Sequence, residues 1–325
     1  MTKNSAPLVE CREIVMSYKV GGAFSRPAAR PFSAVDRVSL KVFPGETLAL
    51  VGESGCGKTT TGRLLLRLVE PTSGRVFFEG RDLGLLGRSE LRSLRKRMQI
   101  IFQDPYGSLN PRFTVRRTLA EPLRIHKSLS GKTLETTISC LLETVGLSPE
   151  HADRYPHEFS GGQRQRIAIA RAISPGPSFL VADEPVSALD ISIQGQIVKL
   201  LLGLKKNLGM AMLFISHDLS MVHSISDRVA VMYRGRVVEL AETDELYQHP
   251  LHPYTRLLLE SVLKPVTGEK LEYKEEEEKP SRPENGCVFS RRCCLADNDC
   301  WKQTPGLLEV KAGHWAACLR TTYGE

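Results

Sequence analysis

A glycine-rich segment directly after a short apolar run is the feature that most limits how this chain can fold. Thr47 to Val51 is rich in aliphatic residues and predicts a buried strand. Gly52 to Thr59 follows it and reads GESGCGKT, and Lys58 to Val69 then carries apolar residues at a helical spacing. A strand, a glycine-rich loop and a helix in this order predict a P-loop, whose backbone N–H groups surround phosphate groups.

The residue types of this loop predict how a nucleotide would be held. Lys58 is expected to contact the β- and γ-phosphates, and the Thr59 hydroxyl is expected to bind Mg²⁺. An ordinary glycine turn is the alternative, and the complete GxxxxGKT pattern disfavours it. The residues expected to line the phosphate site are Gly52, Ser54, Gly55, Gly57, Lys58, Thr59 and Thr60.

Two acidic residues follow a second apolar run. Phe179 to Ala182 predicts another buried strand, and Asp183 and Glu184 come at its carboxyl end. Because a P-loop needs such a strand beside it, we expect both carboxylates to lie next to the phosphates. Asp183 is expected to hold Mg²⁺, directly or through water, and Glu184 is expected to polarise the attacking water.

A third segment indicates which kind of P-loop protein this chain is. Residues 159–166 read FSGGQRQR and lead into a helical run that ends at Ile173. The segment resembles the signature motif of ABC ATPases, usually written LSGGQ, with Phe159 in the position of leucine. The resemblance implies that the start of this helix binds the γ-phosphate held by the P-loop of another ATPase subunit. The residues assigned to that contact are Ser160, Gly161, Gly162 and Gln163.

The same resemblance assigns roles to further residues. Gln103 follows an apolar run and is similar to the Q-loop glutamine, which is expected to contact Mg²⁺ and the attacking water. Residues 187–190, SALD, resemble the D-loop at the dimer interface. His217 resembles the switch histidine that contacts the γ-phosphate. Tyr18 is expected to stack on the adenine ring, with Phe24 or a core position for Tyr18 as the alternatives.

The motifs together predict an α/β fold, namely a P-loop ABC ATPase with a mostly parallel central sheet, an inserted helical subdomain and a small Cys-rich C-terminal extension. The predicted ATPase domain is residues 1–262, with the helical subdomain at about 103–177. Residues 263–325 are expected to be a linker and the Cys-rich extension. Helices are predicted at Arg117 to Leu123 and at Leu134 to Val145. One P-loop and one signature imply that two subunits meet head to tail.

Three longer segments resemble the ATPase subunits of oligopeptide and dipeptide importers, of which the second ATPase subunit is the closer match. They are FQDPYGSLNP at 102–111, RYPHEFS at 154–160 and QHPLHPY at 248–254. The resemblance implies a homologous ATPase partner, expected to be a different chain, two membrane permease subunits and, indirectly, an extracytoplasmic substrate-binding protein. It does not name the cargo.

In that family the permeases insert a short helix beside the Q-loop. We therefore expect the segment Asp104 to Arg112 to contact the permeases. Its Pro105, Gly107 and Pro111 predict an irregular loop instead of a helix. An ordinary surface turn is the alternative.

Composition sets the expected location and partners. The chain has no apolar run near the roughly 18 residues that span a membrane and no apolar signal segment at its start. We therefore expect a peripheral protein on the cytoplasmic side of the cell membrane, where a net charge of +7 suits an anionic surface. We expect no nucleic-acid partner, because the basic residues are not interleaved with aromatic ones. A soluble ABC ATPase acting on ribosomes or DNA is the alternative class.

Five of the eight cysteines fall within the last 39 residues. A cytosolic location argues against disulfides, and the C-x5-C-x6-C spacing predicts only a metal site of undefined type. The peptide-importer ATPases carry a similar tail, which in some members holds a 4Fe–4S cluster; Zn²⁺ and empty thiols are the alternatives. His314 is expected to be structural or to support the ligands without being one, and Cys294 is an extra thiol that could replace Cys293 or take no part. The ligands implied by the resemblance are Cys287, Cys293, Cys300 and Cys318.

Overall fold

The computed structural model describes residues 6–18, 32–262 and 285–321. Within these ranges the fold is α/β, as the sequence predicts, with one large sheet, a smaller antiparallel sheet, and apolar cores on both faces of the large sheet. Phe24 and residues 263–284, which include most of the predicted linker, lie outside the described residues. None of the helices in the described ranges combines the length and the apolar character needed to cross a membrane.

The strands are short and alternate with helices along most of the chain. They are β1 Val9–Tyr18, β2 Phe32–Val42, β3 Thr47–Val51, β4 Ser73–Phe78, β5 Arg81–Asp82, β6 Met98–Ile101, β7 Phe179–Asp183, β8 Ala211–Ser216, β9 Arg228–Tyr233, β10 Arg236–Glu242, β11 Leu308–Lys311 and β12 His314–Ala316.

The helices vary from one turn to five. They are α1 Lys58–Leu65, α2 Arg88–Arg95, α3 Pro105–Ser108, α4 Val115–Lys127, α5 Gly131–Thr144, α6 Gly161–Ile173, α7 Ile191–Leu208, α8 Leu219–Ile225, α9 Thr243–Gln248, α10 Pro253–Val262 and α11 Asn298–Lys302, with 3-10 turns at Pro149–Asp153 and Pro156–Glu158.

The large sheet brings the predicted motifs to one edge. Its strand order is β11-β12-β10-β9-β3-β8-β7-β6. The five strands from β9 to β6 are mutually parallel, and β10, β12 and β11 are added in antiparallel pairs. Because parallel strands have their carboxyl ends at the same edge, the loops after β3, β6, β7 and β8 meet there. Ligands bind at this edge in open α/β sheets.

The central strand β3 is buried along its whole length, which explains its apolar composition. Leu48 and Leu50 pack into the core on one face of the sheet, and Ala49 and Val51 pack into the core on the other. This alternation is the pattern expected of a strand with helices on both sides. The packing fixes the position from which the glycine-rich loop departs.

The helical layer between β6 and β7 contains both predicted helices, and both are longer than predicted. In α4, the Thr114 hydroxyl accepts a hydrogen bond of 3.3 Å from the Arg117 N–H. The helix therefore begins at Val115, before the predicted start at Arg117. In α5, a left-handed Gly146 with φ +74° follows the last turn, the position at which glycine commonly ends a helix.

The segment Asp104 to Arg112 differs from its prediction. We predicted an irregular loop, but it contains the one-turn helix α3. The Asp104 carboxylate accepts a hydrogen bond of 2.8 Å from the Tyr106 N–H, and Pro105 occupies the first helical position. Proline is favoured at that position because its missing N–H would be unpaired anyway. The proline therefore begins a turn of helix.

The C-terminal segment, residues 285–321, is built onto the ATPase sheet. Strand β12 pairs with β10, where Leu240 lies opposite Trp315, and β11 extends the sheet by one more strand. Phe289 is 1% exposed and packs in the same core as Tyr233 and Tyr254. The described part of the Cys-rich extension thus shares both a sheet and a core with the rest of the protein.

Candidate functional site

The glycine-rich loop is shaped by two positions that tolerate only glycine. Gly52 has φ +150°, and a Cβ there would stand 2.1 Å from the Met232 carbonyl oxygen. Gly57 has φ +108°, and a Cβ there would stand 2.2 Å from the Ala34 carbonyl oxygen. A side chain at either position would push the loop outward, so these glycines set its close approach to β9 and β2.

Lys58 extends back along the inside of the loop. Its Nζ donates hydrogen bonds to the carbonyl oxygens of Gly52 at 2.7 Å and Glu53 at 3.0 Å. The side chain is 4% exposed, which is unusual for a lysine and reflects these partners. The loop therefore encloses a positive charge at the N-terminal end of α1, where an anion would also meet the helix dipole.

Thr59 and Asp183 meet across the neighbouring strands. The Thr59 hydroxyl donates a hydrogen bond of 2.9 Å to Oδ1 of Asp183, at the end of β7. Burial raises the pKa of Asp183, although the hydrogen bond from Thr59 opposes the shift. A hydroxyl and a carboxylate are the hard oxygen ligands that Mg²⁺ prefers, so this pair fits the predicted metal site.

Glu184 stands next to Asp183 and is contacted from both adjacent strands. Gln103, after β6, donates a hydrogen bond of 2.9 Å to Oε2 of Glu184. Nδ1 of His217, after β8, lies 3.5 Å from the same oxygen. The Glu184 side chain is 11% exposed and His217 is 59% exposed, so the histidine covers the carboxylate from the solvent side. The arrangement presents a fixed carboxylate that could orient a water molecule.

The backbone of Glu184 is in the left-handed region, with φ +44°. A non-glycine residue in this region carries strain of about 1–3 kcal/mol, and such strain is common at functional sites. The Glu184 N–H donates a hydrogen bond of 3.0 Å to the Ile215 carbonyl, which holds the strained residue against β8. The side chain of this residue contacts Gln103 and His217.

The signature residues cap α6. The Ser160 hydroxyl accepts a hydrogen bond of 3.4 Å from the Gln163 N–H, and Oε1 of Gln163 accepts one of 3.0 Å from the Ser160 N–H. This reciprocal pair is a capping box. Phe159 is 4% exposed and anchors the motif, so phenylalanine fills the position of the usual leucine. Gly161 and Gly162 form the first turn, close to the side chains of the D-loop and α7.

The structure brings together some of the predicted site residues and separates others. The P-loop, Asp183, Glu184, Gln103 and His217 lie at one edge of the sheet. In the described ranges, the side-chain hydrogen bonds of residues 160–163 stay within that segment, and none reaches the P-loop of the same chain. Within the described part of the chain, the signature and the P-loop are therefore not joined by side-chain hydrogen bonds.

Tyr18 ends β1 and is 45% exposed. This exposure leaves the ring partly accessible to stack on a flat ligand, and it also fits the alternative of a half-buried core position. Its role with adenine stays a prediction, and Phe24 lies outside the described residues.

Two arginine contacts were not anticipated from the sequence. Arg171 of α6 donates a hydrogen bond to the Ser108 carbonyl, and the Arg164 guanidinium lies 3.9 Å from the ring centre of Tyr106. Both join α6 to the segment Asp104 to Arg112. Arg164 stands in the RQR run after the signature and Arg171 stands further along α6, and neither position indicates a partner. A cleft of about 650 Å³ opens beside these contacts, and Gln103, Ser108, Arg171 and Asp183 are among its lining residues.

The C-terminal cysteines are free thiols. Burial, with smaller contributions from the charges of Cys318 and Cys300, raises the pKa of Cys287 to about 11. Burial likewise raises the pKa of Cys293 to about 12, with contributions from Cys318 and Cys287. Within residues 6–18, 32–262 and 285–321, however, no three His, Cys, Asp or Glu side chains are grouped in a way that could hold a metal ion.

His314 occupies a buried polar cluster. It is 1% exposed, and its Nε2 lies 2.8 Å from Oε1 of Glu239. Glu239 also accepts hydrogen bonds from the N–H groups of Leu251 and His252, at 2.7 and 2.9 Å. This position fits the structural role expected of His314.

Comparison with known proteins agrees with these motifs. Residues 35–187 match the ABC transporter family, and residues 238–300 match the family described as oligopeptide/dipeptide transporter, C-terminal region. The oligopeptide transport ATP-binding protein AppF of Bacillus subtilis is 46% identical over 323 residues, which cover 97% of this chain and 98% of AppF. The "Probable peptide ABC transporter ATP-binding protein y4tS" of Sinorhizobium fredii is 47% identical over 97% of this chain and 90% of its own length.

Solved structures of ATP-binding cassettes share the fold of this chain. The ATP-binding cassette MJ0796, in a dimeric post-hydrolysis state bound to ADP and Pi, superposes with a TM-score of 0.64 and 27% identity. The match covers 72% of this chain and 98% of that one. The chain therefore belongs to the ATP-binding proteins of the oligopeptide and dipeptide ABC transporter family, and it is an ATPase.

Proposed function

We propose that this chain hydrolyses ATP to drive the import of dipeptides or oligopeptides through a membrane transporter. The observation that carries the peptide assignment is its 46% identity to AppF along 97% of the chain. The match to the C-terminal region of peptide transporters, which does not depend on the ATP-binding motifs, supports the same assignment. We propose an ATPase domain at 1–262 with a helical subdomain at about 103–177, followed by a C-terminal extension.

At the ATP site, the proposed roles follow from the contacts. Lys58 and the loop N–H groups bind the β- and γ-phosphates. Thr59 and Asp183 hold Mg²⁺, which neutralises phosphate charge when bound. Glu184 orients the attacking water and accepts its proton, and Gln103 and His217 keep the Glu184 carboxylate in position. Tyr18 stacks on the adenine ring.

The signature, residues 160–163, forms no side-chain hydrogen bond with the P-loop in the described part of the chain, which supports a dimeric arrangement. The first turn of α6 contains two partly exposed glycines, which suits a phosphate brought by another subunit. The dimeric state of MJ0796 supports the same arrangement. We propose that residues 160–163 close over the ATP held by a homologous ATPase, which we expect to be a different chain.

The contacts of α6 suggest how the dimer would be coupled to permeases. Arg171 and Arg164 attach α6 to Ser108 and Tyr106, and α6 begins with the signature motif. A permease helix that moves the segment Asp104 to Arg112 would therefore also move the signature. We propose this segment and the adjacent cleft as the contact with two permease subunits, on the cytoplasmic face of the membrane. A substrate-binding protein would act through the permeases.

We also propose that Cys287, Cys293, Cys300 and Cys318 bind a 4Fe–4S cluster, with Zn²⁺ as the alternative. The concentration of five of the eight cysteines in the last 39 residues supports the proposal. Iron, sulfide and zinc are measured on protein purified without oxygen, beside a variant with all four cysteines changed to serine. About four irons and four sulfides per chain, absent from the variant, would support the cluster. No bound metal in the wild-type protein would end the proposal.

Peptide import is tested with the complete transporter. The chain is reconstituted with its ATPase partner and permeases in proteoliposomes that enclose ATP, the binding protein is added outside, and uptake of labelled dipeptides and tripeptides is measured. Uptake is expected with the wild-type chain and with Lys199→Ala, an exposed control, and not with Lys58→Ala. ATP hydrolysis without any peptide uptake would contradict the import proposal. Stimulation of hydrolysis by ribosomes or DNA would point to the other class of ABC ATPase.

A further inference from the structure

The C-terminal segment, residues 285–321, contacts the phosphate-binding loop through an ion pair. Nη1 of Arg292 lies 2.9 and 3.0 Å from the two carboxylate oxygens of Glu53. Glu53 follows Gly52 in the loop, and its carbonyl oxygen accepts a hydrogen bond of 3.0 Å from Lys58. A residue 239 positions away in sequence thus contacts the loop that would surround the phosphates.

The backbone of Glu53 is held by a second residue from the C-terminal half. The Glu53 N–H donates a hydrogen bond of 2.9 Å to the hydroxyl of Tyr254, which is fully buried. Tyr254 packs against Tyr233 and Phe289, with ring centres 4.6 and 5.4 Å apart. The side chain and the backbone of Glu53 are therefore both fixed by residues outside the P-loop.

The same aromatic cluster directs Arg292. Its guanidinium lies 6.0 Å from the ring centre of Tyr233 and 5.8 Å from that of Phe289. Arginine over aromatic rings at this distance is stabilised by the ring quadrupole, more strongly when it is partly desolvated. The Arg292 side chain is 16% exposed. Its direction toward Glu53 is thus set by packing as well as by charge.

Arg292 also belongs to a compact turn between two cysteines. The N–H groups of Arg292 and Cys293 both donate to the Phe289 carbonyl at 3.0 Å, and the Ser290 N–H donates to the Cys287 carbonyl at 3.1 Å. Cys287 and Cys293 stand at the two ends of this turn. The position of Arg292 therefore depends on how the cysteine-bearing turn is folded.

The ion pair has a direct consequence for a loop that binds ATP. Glu53 carries a negative charge beside a site for a polyphosphate, and like charges at this range repel each other. The pair is only partly exposed, with Glu53 at 39%, so salt screens it less than a fully exposed pair. Arg292 neutralises the Glu53 carboxylate and holds it toward the C-terminal segment.

We propose that Arg292 is a positioning residue for ATP binding, and that the docked C-terminal segment sets the ATP affinity of the P-loop through the Arg292–Glu53 pair. The proposal rests on ATP binding at the P-loop and is independent of peptide import. It gives the Cys-rich segment a function at the ATP site. A change that unfolds the turn between Cys287 and Cys293 would weaken ATP binding by releasing Arg292.

The test compares four variants of the full chain by the dissociation constant for Mg–ATP. Arg292→Met is expected to weaken ATP binding about three- to tenfold, since it leaves the Glu53 charge unpaired beside the phosphates. Adding Glu53→Gln to Arg292→Met is expected to restore affinity to within about twofold of Glu53→Gln alone. Lys302→Met, which removes one positive charge from the exposed surface of the same segment, is the control and is expected to bind as the wild type does.

The double variant distinguishes an effect of the unpaired Glu53 charge from an effect of unfolding the C-terminal segment. If Arg292→Met only disrupted the C-terminal segment, Glu53→Gln would not restore ATP binding. A persistent defect in the double variant would therefore overturn the proposal, as would wild-type affinity in Arg292→Met. In steady-state kinetics, Arg292→Met is expected to raise KM for ATP and to leave kcat at saturating ATP within about twofold.

Discussion

The side chain of Gln103 donates a hydrogen bond of 2.9 Å to the Glu184 carboxylate, which joins the loops after two neighbouring parallel strands. His217 approaches the same oxygen from a third strand. The carboxylate is thus held by residues 81 and 33 positions away in sequence, on a backbone strained at φ +44°. The contacts to the Glu184 side chain lie at the edge of the sheet. We therefore expect them to fix the position of the carboxylate and to contribute little to the stability of the fold.

Asp183→Asn is expected to stabilise the protein without Mg²⁺ and to abolish Mg²⁺-dependent hydrolysis. Burial raises the pKa of Asp183 above its ordinary 3.8. A raised pKa means that the folded state binds the proton more tightly, so stability falls as pH rises from 3.8 through the raised pKa. Above the raised pKa the cost is fully present, and asparagine removes it. Thermal unfolding without metal or nucleotide should therefore occur a few degrees higher.

The control is Asp190→Asn, at the exposed N-cap of α7, where Asp and Asn are nearly equivalent. Its unfolding temperature is expected to stay within about one degree of the wild type. An equal or lower unfolding temperature for Asp183→Asn would contradict the assigned cost of the buried carboxylate.

The pairing of β12 with β10 is expected to weaken as pH rises. Burial lowers the pKa of His314, but the hydrogen bonds and charges of Glu239 and Glu245 offset this, and the net pKa lies above 6.5. The stabilisation is therefore fully present below pH 6.5 and is lost as pH rises through the raised pKa. Lys311, which pairs with Glu245, stays charged over this range. Hydrogen exchange of residues 308–316, corrected for intrinsic rates, should show less protection at pH 9 than at pH 6.

His314→Gln should remove most of this pH dependence, whereas His223→Gln, at an exposed position, should retain it. Protection of residues 308–316 that does not change between pH 6 and pH 9 would show that the His314–Glu239 pair is not the source of the attachment.

Gly162→Ala is expected to reduce ATP hydrolysis by about tenfold or more, because it disturbs the N–H donors that we propose bind the γ-phosphate. A Cβ at Gly162 would stand 2.7 Å from Cγ2 of Ile193, so either α7 or the signature turn must shift. Gly203→Ala is the control. It lies in α7 with open space around its Cβ, and alanine there should stabilise the helix by up to about 1 kcal/mol.

The second-site variant Ile193→Ala makes room for the new methyl group and should recover part of the activity of Gly162→Ala. If Gly162→Ala hydrolyses ATP at the wild-type rate, the first turn of α6 does not need its observed shape.

The ATP-binding motifs were recognisable from sequence because each lies in one continuous segment with a local physical reason. Strand β3 was predicted at Thr47 to Val51 and has those bounds. A short aliphatic run directly before a glycine-rich loop is rarely anything other than a buried strand. Helix α1 was predicted to continue to Val69 but ends at Leu65. Arg67 adopts a left-handed φ of +52°, which the apolar spacing does not reveal.

The contacts that connect the segments could not be predicted in this way. Arg292 pairs with Glu53, and Arg171 with the Ser108 carbonyl, across long intervals of sequence. Neither arginine stands in a pattern that names its partner, because the pairing depends on how the sheet and the C-terminal segment pack. Similarly, cysteine spacing indicates that the thiols could share a ligand, but it does not fix the direction of their side chains.

The role of Glu184 is tested most directly by measuring ATP binding and ATP hydrolysis in parallel for Glu184→Gln. The variant keeps the shape of the side chain and removes the negative charge that would orient and deprotonate water. It is expected to bind ATP with wild-type affinity, to hydrolyse it at least about 100-fold more slowly, and to remain in an ATP-bound dimer by light scattering. Glu143→Gln, on the exposed face of α5, should behave as the wild type. Hydrolysis by Glu184→Gln at the wild-type rate would contradict the assignment.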